Sequence, residues 1–195
     1  TSFAGTIEHV TITGSTFADG NYDQLRFYQD ATITNTVFNK EMTIDFGTNG
    51  VEATFDGCTV ADGLSLLDVI YLADIAEMGV KVEVDGEPVV VEAVIGDTGY
   101  LTLKDAFAAA QAGDTLVITA GSYATNINVN KDITVVGQTD AQGNNLVNIT
   151  GKLNVTADGA TVRNLNVTSS DTAGYIGAKD VLIENCNITG SNGFY

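Results

Sequence analysis

Val10-Thr11-Ile12-Thr13-Gly14-Ser15-Thr16-Phe17 sets a frame that the chain repeats. A small or branched apolar residue stands first, and Ile, Val or Phe stands two places later. Gly or Asn follows at the fifth place, a small or apolar residue at the sixth, and an apolar one at the eighth. The frame returns as Ala31-Thr32-Ile33-Thr34-Asn35-Thr36-Val37-Phe38 and as Ala53-Thr54-Phe55-Asp56-Gly57-Cys58-Thr59-Val60. It returns again as Ala160-Thr161-Val162-Arg163-Asn164-Leu165-Asn166-Val167 and as Val181-Leu182-Ile183-Glu184-Asn185-Cys186-Asn187-Ile188. Ile133-Thr134-Val135-Val136-Gly137 matches its first half.

Phe17 and Phe38 are 21 residues apart, Phe38 and Val60 are 22 apart, and Val167 and Ile188 are 21 apart. Repeat periods of about 20–50 residues indicate solenoids. Strand alternation turns the first, third, sixth and eighth side chains inward. The change of phase between the third and sixth requires a bend, which Gly or Asn at the fifth place permits through a left-handed or bulged backbone. Stacked Asn residues at that corner are expected to form an amide ladder. The expected fold is a mainly β, right-handed parallel β-helix. Gln24–Tyr28, Met42–Phe46 and Leu153–Val155 read as strands of its other faces.

Two stretches break the frame. Residues Ser65 to Met78 carry apolar side chains at helical spacing, with Ser65 and Asp68 as a capping box and Gly79 as the stop. Val80–Val84 and Val89–Ile95 then read as a hairpin about Asp85-Gly86. Thr102 is placed to cap a short Ala-rich helix ended by Gly113, and such a helix would plug the open end of a solenoid. The expected organisation is therefore 1–62 as the last rungs of a β-helix, 63–99 as a helix-and-hairpin connector, and 100–195 as cap helix and first rungs.

The chain carries 25 acidic and 8 basic residues, a net charge of −17. That argues against nucleic acid, whose binding needs clustered Lys and Arg, and against anionic membrane surfaces. No run of eighteen apolar residues is present, so membrane insertion is not expected. The first residue is Thr1 rather than Met, which suggests a processed or excised piece. The two cysteines, Cys58 and Cys186, share the sixth place of the frame and are expected to be buried and inert, too far apart for a disulfide.

Leu103-Lys104-Asp105-Ala106-Phe107, then Gly113-Asp114-Thr115, Gly121-Ser122-Tyr123 and Asn130-Lys131-Asp132-Ile133-Thr134 follow one another in that order. This succession resembles the start of pectate-lyase-like β-helix domains. Val84-Asp85-Gly86-Glu87 and Ile95-Gly96-Asp97-Thr98-Gly99-Tyr100 resemble junctions in large repeat-bearing, adhesin-like surface proteins of Gram-positive bacteria. The resemblance implies an extracellular, cell-surface setting. It does not imply an activity, because this fold carries lyases, hydrolases and inert stalks alike.

Chemistry is sparse. A lyase of this kind would bring clustered Asp residues, Ca²⁺ and an Arg together. Arg163 instead faces outward one rung before Glu184, as a solvated ladder pair, and Arg26 reads the same way between Leu25 and Phe27. Asp97, Asp105 and Asp114 flank the cap helix, and Asp56 and Asp62 flank a rung, without pairing as a hydrolase requires. His9 points outward. Asn-x-Thr triplets begin at Asn148, Asn154, Asn166 and Asn187, as Asn- and Thr-rich strands produce by chance. No catalytic, cofactor or metal residue is assigned. Tyr28 and Tyr175 stand on an open lateral face, so a glycan or host surface is a further partner class.

The function expected is a non-catalytic structural or adhesive solenoid unit, with a polysaccharide-active enzyme or a passive glycan-binding module as alternatives. The partner expected is the chain itself. Residues 100–195 followed by 1–62 read as one continuous solenoid in register. Val181, Ile183 and Ile188 of one unit should therefore meet Val10, Ile12 and Phe17 of the next, with Tyr195 against Thr1. That contact is either a tandem array or a head-to-tail fibre of separate subunits, and the competing arrangement is a closed monomer whose own ends meet.

Overall fold

The computed structural model describes residues 8–18 and 23–194. The chain is mainly β with parallel sheets, an arrangement compatible with a β-solenoid. It divides into two compact units, one running to Val90 and the other beginning at Val91. The division falls inside the stretch 63–99.

In the N-terminal unit, His9–Thr13, Asp30–Thr34, Glu52–Asp56 and Lys81–Val84 form successive parallel strands of one sheet. Gln24–Phe27 pairs in parallel with Thr43–Phe46, and Val37–Phe38 with Thr59–Val60. The register superposes frame on frame: Val10 lies beside Ala31, Ile12 beside Ile33, and Ile33 beside Phe55. The inward places fill one core, in which Ala31, Ile33, Thr36, Phe38 and Phe55 are almost wholly buried. Phe17 and Phe38 stack with ring centroids 5.3 Å apart, and Phe38 meets Phe55 edge-on at 6.3 Å.

The fifth place of the frame is left-handed in every full copy: φ is 56° at Gly14, 47° at Asn35, 59° at Gly57, 60° at Asn164 and 53° at Asn185. Gly, and after it Asn and Asp, visit that region most readily, and Gly or Asn fills the place in each copy. The sixth place closes the corner. Ser15, Thr36, Cys58 and Cys186 each donate to the carbonyl two residues back, at 3.1, 3.0, 3.6 and 3.4 Å.

Ser65–Met78 is not one helix. The capping box at Ser65 and Asp68 forms, but it opens only a short 3-10 turn, Leu66–Asp68. Ile70 then bridges in parallel to Ile44, extending the column Leu25–Ile44–Ile70, and α1 (Leu72–Glu77) starts afterwards. Pairing of Ile70 into the sheet outweighs helix propensity that extends over fewer than four turns. The hairpin expected after it is also cut short. Lys81–Val84 turns back at Asp85-Gly86 onto Glu87–Pro88 alone. Pro88 brings no N–H to the ladder, and Ala93–Ile95 pairs antiparallel with Thr98–Tyr100 and Thr115–Ile118 instead.

In the C-terminal unit, each pass of the chain supplies one strand to each of three parallel sheets. The first sheet takes Thr115–Ile118, Thr134–Gly137, Thr161–Arg163 and Leu182–Glu184. The second takes Gly121–Tyr123, Val147–Thr150, Leu165–Thr168 and Asn187–Thr189. The third takes Ile127–Val129, Leu153–Val155, Thr172–Ile176 and Asn192–Phe194. The core between them is aliphatic, with Leu116, Ile127, Leu153, Val162, Leu165 and Val167 fully buried. The frame stops at Gly137 because the chain leaves through a loop, closed by a bridge between Thr139 and Asn145, before rejoining at Val147.

α2 (Leu103–Ala109) is capped by Thr102, whose hydroxyl accepts from Asp105 N at 3.1 Å, and by Glu92, which accepts from Leu103 N at 2.6 Å. Its Leu103 and Ala106 enter the aliphatic core. At its other end Lys131 Nζ donates to the carbonyls of Phe107, Ala108 and Ala110, a cation where the helix dipole is negative. The edge of the first strand, Thr115–Ile118, is covered by Ala93–Ile95.

Candidate self-association surfaces

Among the described residues, each unit has outer strands that pair on one side. His9–Thr13 is, among the described residues, the outer strand of its sheet, paired with Asp30–Thr34. Leu182–Glu184, Asn187–Thr189 and Asn192–Phe194 are the outer strands of theirs. The inward residues of these coils are half-buried: Val10, Ile12 and Phe17 at one end, and Val181, Ile183, Cys186 and Ile188 at the other. Their equivalents one coil further in, Ile33, Phe38, Ala160, Val162 and Val167, are 0% exposed. Tyr195 lies outside the described residues, as does Thr1.

Two apolar side chains at the C-terminal open coil add to this surface. Leu182 is 44% exposed and Phe194 40%. Leu182 occupies the second place of the frame, where Thr11, Thr32, Thr54 and Thr161 stand in the other full copies. A lone Leu in a Thr column was a legible signal that sequence reading passed over.

No family model, curated protein or solved structure matches this chain.

The asparagine ladder expected at the corner forms instead two places after it, on the following strand. Asn187 Nδ2 donates to Asn166 Oδ1 at 2.8 Å, and Asn166 Nδ2 to Asn148 Oδ1 at 3.1 Å. A second short ladder joins Asn154 Nδ2 to Asn128 Oδ1 at 2.8 Å. The left-handed corner residues point differently from strand residues, so only the strand amides come into line. Three of the Asn-x-Thr asparagines are thus tied into one column by their amides.

Arg26 is an exposed ladder residue, as expected, but its partner on the adjacent strand, Asp45, is buried. Its Nε and Nη2 reach Asp45 Oδ2 at 3.0 and 2.5 Å, and Gln24 Nε2 reaches the same oxygen at 2.6 Å. Asp45 is buried, with 6% of its surface exposed, and its Oδ1 has no hydrogen-bond partner. The hydrogen bond to Asp45 holds the guanidinium pKa above its ordinary value. Asp74 Oδ2 accepts from Phe46 N at 2.9 Å on the same face. Burial pushes the Asp74 carboxyl above its usual range, and the charge of Asp45 adds to the effect. Sequence reading missed this group because Arg26, Asp45 and Asp74 are adjacent only once coils stack.

The other residues singled out are accounted for locally. Arg163 Nε lies 2.9 Å from Glu184 Oε2, paired by charge although its N–H is not aimed along the contact. His9 meets Thr32 Oγ1 at 3.0 Å. Asp105 accepts from the Thr102 hydroxyl, Asp114 from Gln111 N, and Asp62 pairs with Lys40. Cys58 and Cys186 are free thiols, half-buried rather than fully enclosed, with their pKa pushed up by burial. Among the described residues no group of three His, Cys, Asp or Glu is placed to hold a metal. No helix among them is long and apolar enough to cross a membrane.

Proposed function

We propose that this chain is a non-catalytic structural or adhesive unit of a pectate-lyase-like, right-handed parallel β-helix, displayed on a bacterial cell surface and stacking head to tail on copies of itself. In this reading residues 100–195 supply the capped first coils and residues 1–62 the last. The observation that carries it is the pair of outer coils whose inward residues are only half-buried. Both expose apolar side chains that are buried one coil deeper, and both are built on the same frame. Docking Val181–Ile188 of one copy against Val10–Phe17 of another would bury Ile183 and Ile188 against Ile12 and Phe17, in the parallel register used inside each unit. Unpaired strand edges recruit strands, and a contact between two different surfaces propagates rather than closes.

The test is sedimentation velocity over a concentration series, with negative-stain microscopy of the most concentrated sample. Species that lengthen with concentration and keep a constant width are expected. A monomer at every concentration overturns the reading.

A further inference from the structure

Tyr175 stands on the outer face of the third sheet of the C-terminal unit and is 50% exposed. Its ring lies over Gly177, where a Cβ would fall inside van der Waals contact of the ring. The glycine therefore lets the ring lie against the backbone and turn its other face outward. The N-terminal unit repeats the device independently: Tyr28, 52% exposed, lies over Gly47 in the same way.

The surroundings of the two rings differ. Tyr28 neighbours Arg26 and so belongs to the charged group around Asp45. Beside Tyr175 the neighbouring strand residue is Asn154, whose amide is already held in place by its bond to Asn128. That bond leaves one N–H and the carbonyl oxygen of Asn154 uncommitted. Lys152 and Asp171, which precede the strands of Asn154 and Tyr175, pair with each other at 3.2 Å. Lys152 also lines a groove of about 410 Å³ with Asn126, Thr150, Thr168, Ser169 and Ser170. An aromatic face, a fixed amide and a hydroxyl-lined groove, all without net charge, suit a ligand with an apolar ring face and many hydroxyls. The overall charge of −17 repels an acidic version of that ligand.

We infer that Tyr175, seated on Gly177 and flanked by Asn154, is the stacking platform of a binding site for neutral glycans. The pyranose ring lies on the tyrosine face, and its hydroxyls meet the Asn154 amide. This site goes beyond the assembly reading and does not depend on it, because it faces sideways from the coils rather than along them.

The experiment is a titration of the chain, followed by calorimetry and by saturation-transfer NMR on the tyrosine ring protons. The probes are cellohexaose and mannohexaose, with hexagalacturonate as the acidic comparison. Saturable binding of at least one neutral glycan is expected. Tyr175→Ala should weaken it by about ten-fold or more, as loss of one aromatic stacking contact does. Tyr175→Phe should retain it, and Gly177→Ala should weaken it by lifting the ring. Tyr175→Phe keeps the ring and the fold, and ring-proton contacts in the unmodified chain give a readout independent of any variant. Binding of neither neutral glycan overturns the inference. So does binding unaffected by Tyr175→Ala, or hexagalacturonate binding as tightly as the neutral probes.

Discussion

Gly14 and Asn185 hold the same left-handed conformation, φ 56° and 53°, at the same place of the coil, although they lie in different compact units. The residue after each, Ser15 and Cys186, donates back to the same carbonyl place. The coil that ends the C-terminal unit and the coil that begins the N-terminal unit therefore share a local shape.

The faces used in stacking can be separated by mixing. Ile12→Asp spoils one face and Ile183→Asp the other. Each variant alone is expected to stay monomeric. An equimolar mixture should form dimers through the two intact faces and nothing longer. Analytical ultracentrifugation reads this directly, and filaments in the mixture would contradict it.

The corner conformation makes a stability prediction. Asn164→Gly should be close to neutral, while Asn164→Val should cost about 1–2 kcal/mol, the penalty of a side chain branched at Cβ in left-handed backbone. Urea unfolding of the two variants at one pH separates them.

Inside the N-terminal core, Ile33 is 0% exposed between Ile12 and Phe55. Ile33→Ala is expected to cost about 2–5 kcal/mol, the range for a buried large-to-small change. Ile12→Ala should cost clearly less in the monomer, because Ile12 is only half-buried there. Equal losses for the two would contradict the uncovered state of the first coil.

The Arg26–Asp45 pair should behave as a buried carboxylate with one cation. Arg26→Ala strands that charge, so it should destabilise more than the double variant Arg26→Leu with Asp45→Leu. Chemical denaturation of both variants checks the order.

Asp74 gives a pH dependence. Its pKa is raised in the folded chain, so folding is favoured there by the protonated form. That contribution is complete below the ordinary value of 3.8 and is lost as pH rises through the folded pKa. Asp140 and Asp171 run the other way, with pKa values lowered first by hydrogen bonds to Asn144 and Lys152; their contribution is present above 3.8 and lost on acidification. Asp74→Asn should therefore gain on the parent as pH rises from 3 toward 7. A constant difference in unfolding midpoint would contradict it.

The frame made the coil legible because one short motif fixes three things together: the inward places, the corner and the parallel register. Ile33, Phe38, Val162 and Val167 follow from it directly. Features that depend on which coil lies beside which were not legible. Ser65–Met78 has helical spacing, yet Ile70 is claimed by Ile44 from outside the segment. Arg26 and Asp45 are neighbours only through the pairing of their strands, and Ala93–Ile95 takes partners on the far side of a turn and of α2. For the candidate surface, Val10, Ile12, Phe17, Val181, Ile183 and Ile188 were readable as inward places. Leu182 was readable too, as a lone Leu in a column of Thr, whereas Phe194 lies beyond the frame and was not.

The asparagine column has a sense of direction. In both ladders the later coil gives the hydrogen and the earlier coil receives it, so the amide dipoles align head to tail. The column therefore presents an oxygen, that of Asn187, at its last rung. Anything that continues the row must arrive carrying a hydrogen. The residue at the equivalent place of the first frame is Thr16, whose hydroxyl can supply one. If units stack as proposed, polarity of this kind would give the stack a front and a back, and favour one orientation of each added unit.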